Sequence, residues 1–137
     1  MQNRSLAYDY VSRAQKRIAA LNALMKEESW ADVVRESQEV VELALKALLR
    51  HSRIEVPRVH DVSEILIRER DQLPAAIHPE LTELAAISKA LRRDRELAFY
   101  GTEDLTPSEF YSREDAEDAF AKAQKVVALI KPLIPSP

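Results

Sequence analysis

There is no cysteine in this chain, and only one glycine among its 137 residues. The first absence excludes disulfides, thiolate nucleophiles and sulfur-ligated metals. The second argues against sandwiches and doubly wound sheets, which reverse direction often and use glycine to do so. Phosphate-cradling loops of the Walker or Rossmann type need two or three glycines within a few residues, so they are excluded as well. His51, His60 and His78 stand apart from one another, with no pair at zinc-ligand spacing. Isolated histidines are most often loop or surface residues. No serine stands in the glycine-framed elbow of a nucleophilic hydrolase. Neither a metal nor a cofactor is expected. Charge of one sign is also lacking: the net charge is −3 with both signs interleaved, so contact with nucleic acid has to be local. Met1 to Leu6 lacks the apolar run of a signal peptide, and no stretch is long enough to span a bilayer. A cytoplasmic protein without membrane contact is the expectation.

What is present is 46% apolar and 31% charged residues, the balance of a globular domain, in a length that suits one core over residues 1–137. Five helical segments can be drawn. The first, from about Arg4 to Lys26, repeats Leu6, Tyr10, Ala14, Ile18, Leu21 and Met25 at steps of three or four. The second begins at Ser29, a candidate N-cap with Asp32 three residues on, and ends near Arg50. Its latter half, Val40 to Leu49, is apolar almost all round, which calls for cover on several sides, either at a bundle centre or by a second subunit. The third is short, from an Asp61 cap to about Arg70. The fourth follows Pro74 and Pro79, with Pro79 in its first turn, and is stopped by Gly101. The fifth opens with Ser112 and Asp115 at capping spacing. It presents Ala116, Ala119, Phe120, Ala123, Val127 and Ile130 to the core and gives way to an extended or disordered proline-rich tail from about 132. The fold class is therefore all-α, an antiparallel up-and-down bundle of four long helices plus one short one.

Chemistry concentrates near the end of the fourth segment. Arg93 and Tyr100 are seven residues apart, two helical turns, so they share a stripe with Leu97 and, upstream, Ala86 and Ala90. Small residues at Ala86 and Ala90 let another backbone approach closely, which favours a homodimer. Arg95 falls on the Leu84–Leu91 face and needs an acceptor, for which Glu36, Glu39 and Glu42 of the second helix are candidates. Lys89, Arg92, Arg93 and Arg95 with Asp94 and Glu96 also fit a solvated, salt-bridged surface. Both readings stand at this point.

Four stretches occur in an order found in one family. They are Ser37-Gln-Glu-Val-Val-Glu-Leu-Ala-Leu-Lys-Ala-Leu-Leu49, His60-Asp61 followed by Val62, Arg93 to Gly101, and Phe110-Tyr111-Ser-Arg-Glu-Asp-Ala116. The set resembles HEPN domains over nearly the whole chain. Parts of it have structural reasons of their own: Glu42 and Lys46 form a favourable i,i+4 pair, Asp61 caps a helix, and Tyr111 can staple onto Ala116. The family's ribonuclease members carry Arg-x4–6-His, in which Arg holds an RNA phosphate and His moves a proton in a dimer cleft. Here Arg93 and the polar Asp94 fit, but the positions where His would fall are Ala98, Phe99 and Tyr100. A variant pattern, Arg-x4-His-x-Tyr, aligns Arg93 and Tyr100 and leaves Ala98 in place of His. In toxins with that pattern a minimal nucleotidyltransferase adds adenylate to the Tyr. The resemblance thus implies a homodimer that binds a nucleotide, RNA or a partner nucleotidyltransferase through Arg93, Asp94, Arg95 and Tyr100 without cleaving RNA. Two alternatives remain: an active ribonuclease toxin of a toxin–antitoxin pair, using Tyr100 or a displaced His78, and a structural interaction adaptor.

Overall fold

The computed structural model describes residues 2–56, 62–101 and 105–137, with backbone alone for 2–3 and 95–99. Its α-helices are α1 (Gln2–Lys26), α2 (Trp30–His51), α3 (Val62–Arg68), α4 (Leu81–Tyr100), α5 (Pro107–Phe110) and α6 (Arg113–Ile130), and no strand occurs among the described residues. This is the expected all-α bundle. The expected His60-Asp61 helix start lies outside the described residues.

The centre of the bundle is α2. Val33, Val34, Val40, Val41, Ala44, Leu45, Ala47, Leu48 and Leu49 are all buried, and α1, α4 and α6 pack around them. Its all-round apolar surface is therefore satisfied within one chain, and a second subunit is not needed to cover it. On α1 the fully buried row is Ala7, Val11, Ala14 and Leu21, whereas Leu6 is exposed and Tyr10, Ile18 and Met25 are half-buried. The expected stripe thus reaches the core at Ala14 and Leu21, with Tyr10, Ile18 and Met25 packed against it, while Ala7 and Val11 extend it and Leu6 falls outside.

Helix ends explain how so few glycines suffice. Glu28 (φ 57°) and Arg53 (φ 61°) take the left-handed conformation after α1 and α2. Each is followed by a residue whose N–H reaches back across the turn, Ser29 to Leu24 O at 3.0 Å and Ile54 to Leu49 O at 2.9 Å. Gly101 (φ 81°) likewise takes the left-handed conformation after α4, as expected. Ser29 precedes α2, but its hydroxyl donates to the Asp32 carboxylate at 2.6 Å rather than accepting from the backbone. Ser112 and Asp115 form the anticipated capping box on α6, with Ser112 N–H donating to Asp115 Oδ2 at 2.8 Å and Asp115 N–H to Ser112 Oγ at 3.3 Å.

Three connections differ from expectation. After α3 the chain runs through 3-10 turns at Arg70–Gln72 and Ala75–Glu80, so Pro79 sits just ahead of α4 and not in its first turn. A one-turn helix, α5, stands between α4 and α6. The expected loose tail instead makes a 3-10 turn at Lys131–Leu133 and buries Ile134, an apolar side chain that gains more against the core than in water.

Candidate functional site

The last turns of α4 carry the candidate residues. Arg93 is exposed, Asp94 is half-buried, and Tyr100 is 75% exposed. Side chains at 95–99 lie outside the described residues, so neither Arg95 nor Ala98 is placed. Glu36 Oε1 accepts from Arg17 Nε at 2.9 Å; Glu42 accepts from Gln38 Nε2 at 2.8 Å and pairs with Lys46 at 3.5 Å, the i,i+4 pair the sequence suggested. Burial pushes the Glu36 carboxyl above its ordinary pKa despite the Arg17 guanidinium beside it. Burial likewise raises Asp94, against the pull of Arg93 and Lys122.

Tyr111 ties this end of α4 to the rest of the fold. The sequence suggested a hydrophobic staple there. In the structure Tyr111 is 6% exposed, and its hydroxyl donates to the backbone carbonyl of Asp94 at 3.0 Å, the residue after Arg93. Burial, with the Asp94 and Asp115 carboxylates, pushes the phenol up from 10.0 to about 12. The bonded form is neutral, so its contribution is intact below the unfolded value of 10.0 and is lost as pH rises toward about 12. Tyr111→Phe should cost about 1 kcal/mol at neutral pH. The gap between wild type and variant should narrow between pH 10 and 12, which urea unfolding at both ends of that range measures.

The short α5 completes the region. Thr106 Oγ1 accepts from Glu109 N–H at 3.3 Å and donates to the Glu109 carboxylate at 2.8 Å, with Pro107 at the first helical position. A Cβ on Gly101 would meet Pro107 Cδ at 2.9 Å, while Tyr111 meets Asp94. The 107–111 segment therefore runs back along the last two turns of α4. It leaves Phe110 40% exposed beside that stretch, its ring centroid 4.9 Å from that of Tyr111 in a T-shaped contact. The sequence signal for this turn, Thr-Pro-x-Glu at capping spacing with proline at the first position, was present but short.

Elsewhere, His78 Nε2 lies 3.0 Å from the Leu73 carbonyl oxygen, a bond that closes the 3-10 turns ahead of α4. Among the described residues no group of three or more His, Asp or Glu is placed to hold a metal ion, and no helix is long and apolar enough to cross a membrane. Beside α4 an open, mainly apolar groove of about 430 Å3 is lined by Ile67 and Arg68 of α3 and by Ala86 and Lys89 of α4.

An antiparallel helical bundle that presents an arginine and a phenol two turns apart on one exposed helix end is what fold and site together define. The HEPN domain family matches residues 7–133, and the chain belongs to that family, whose domain is generally a nucleotide- or RNA-binding module. No curated protein and no solved structure matches the chain.

Proposed function

We propose that this chain forms a homodimer and binds a nucleotide or RNA through Arg93 on α4, without cleaving RNA. The observation that carries the reading is the order Arg93-x4-Ala98-x-Tyr100 along one helix, with Arg93 and Tyr100 exposed. A guanidinium is present to hold a phosphate at two points. The imidazole that would transfer a proton is replaced by a methyl group. Asp94 follows the arginine in sequence, and Arg95 adds local positive charge to a chain whose net charge is −3. Tyr100, three-quarters exposed, offers its phenol to a minimal nucleotidyltransferase, the partner that the variant motif implies. The cytoplasm is the compartment this reading assumes.

Dimerisation is supported by the groove between α3 and α4. Ile67 is 52% exposed there, Ala86 is small and exposed, and Glu64 faces the same rim as Arg68 and Lys89, a self-complementary set of charges. The ribonuclease alternative that used His78 is weakened by the bond from that ring to Leu73 O.

One set of samples tests the proposal. A fluorescent single-stranded oligoribonucleotide should bind wild type and remain uncut. Arg93→Ala should weaken binding about tenfold or more, and the salt dependence should fall by roughly one phosphate's worth. Light scattering at micromolar concentration should return about twice the 15.6 kDa subunit mass. Equal binding by the variant, cleavage by wild type, or a single-subunit mass each counts against the corresponding part.

A further inference from the structure

We infer that Phe110 is a stacking platform for an unpaired nucleobase whose adjoining phosphate is held by Arg93. The inference rests on the nucleotide or RNA reading above and adds the form of the ligand: an unpaired base, not a duplex.

Three observations place the ring. The 107–111 segment lies back on α4, with Pro107 at the level of Gly101 and the Tyr111 hydroxyl on the carbonyl of Asp94. The segment that carries Phe110 thereby lies against α4 between Asp94 and Gly101. Its contact with Tyr111 is T-shaped, at an interplanar angle of 66°. In either sense of such a contact, edge to face or face to edge, at least one face of the Phe110 ring is unused by Tyr111. The residue is also 40% exposed, so a planar partner can reach it.

The charges beside it fit a phosphate. Lys89 and Arg93 are exposed on α4, and Asp94, the nearest acid in sequence, is half-buried. On α5 the Glu109 carboxylate is occupied by the Thr106 hydroxyl. Arg113, close in sequence, is turned away to Glu28 at 2.9 Å and over the Trp30 ring at 5.0 Å. An aromatic face with an adjoining guanidinium is how single-stranded nucleic acid is held: the base stacks and the cation takes the backbone. A duplex keeps its bases stacked on one another and gains nothing from Phe110. A free nucleotide and single-stranded RNA share the required chemistry.

The test is binding of a labelled single-stranded oligoribonucleotide, and of the same sequence annealed to its complement, to wild type, Phe110→Ala, Phe110→Leu and Phe110→Trp. Wild type should prefer the single strand. Phe110→Ala and Phe110→Leu should each weaken it about 5- to 100-fold and leave duplex binding unchanged. Phe110→Trp should retain it. The leucine variant keeps apolar area without a π face, so loss in both alanine and leucine variants with unchanged circular dichroism separates stacking from folding. Competition by a nucleoside monophosphate at equal nucleotide concentration assigns the free nucleotide as the source; its failure to compete assigns RNA. If Arg93→Ala loses binding while the Phe110 variants do not, stacking is overturned and the proposed function stands. If wild type binds neither strand form nor the nucleotide, the proposed function fails first. If the Phe110 variants change only the mass in light scattering, the ring is a subunit contact and the inference is overturned.

Discussion

If the proposed function holds, Ala98→His is expected to give the chain RNA cleavage that the wild type lacks. A positioned general acid or base contributes about 10²- to 10⁴-fold to a rate, and at this place in the motif the imidazole is what the chain lacks. The backbone is already suitable, because position 98 lies within α4. Replacing alanine by histidine inside a helix costs only about 0.5 kcal/mol in propensity, so the variant should fold. A signature beyond mere activity is available. Cleavage should follow a pH profile with an inflection near about 6.5, the ordinary histidine value, and should disappear in the double variant with Arg93→Ala. Ala98→Gln supplies a polar side chain of similar reach that cannot move a proton and should stay inactive. An Ala98→His protein that still dimerises and binds RNA but cuts nothing would show that more than one group has been lost. Wild-type cleavage that depends on Arg93 would show that none has.

Much of the fold was legible because helix periodicity and end signals repeat the same message. The apolar run from Val40 to Leu49 could only be a helix covered on several sides, and α1, α4 and α6 cover it. Ser112 with Asp115, and Gly101 after the last periodic residue, are local chemistry that needs no tertiary context. What was not legible depends on such context. That Ala7 and Val11 join the α1 stripe and Leu6 does not is decided by packing against the rest of the bundle, which no single-helix pattern contains. Ile134 holds the tail because a hydrophobic site happens to lie within its reach. At the candidate site, Arg93, Asp94 and Tyr100 could be grouped from spacing along one helix. Tyr111 and Phe110 could not, because their relation to α4 rests on tertiary contact, across 17 residues in the case of Tyr111 and Asp94. The pairing of Arg17 with Glu36 is of the same kind, because it joins two helices that no single-helix pattern relates.

Gly101 takes a left-handed conformation at the end of α4, and Gly101→Ala is expected to cost about 2–4 kcal/mol. Conformation alone accounts for the smaller part. A left-handed residue with a side chain is penalised by roughly 1–2 kcal/mol, and Glu28 and Arg53 show that this chain tolerates the penalty twice, at φ 57° and 61°. Space accounts for the rest. A Cβ at 101 would stand 2.6 Å from the Leu105 carbonyl oxygen and 2.9 Å from Pro107 Cδ. Neither is the tip of a flexible side chain; both belong to the backbone or ring that starts α5. Relief therefore requires α5 to lift from α4, and lifting it pulls Tyr111 from the Asp94 carbonyl. The urea midpoint should fall accordingly, while Arg53→Ala, in a left-handed position without such crowding, should stay within about 0.5 kcal/mol of wild type. Stability and site should fail together at Gly101, so single-strand binding should weaken even where the variant remains folded. An unchanged midpoint in Gly101→Ala would mean that the 105–107 backbone yields without cost, and the placement of Phe110 beside Arg93 would lose its support.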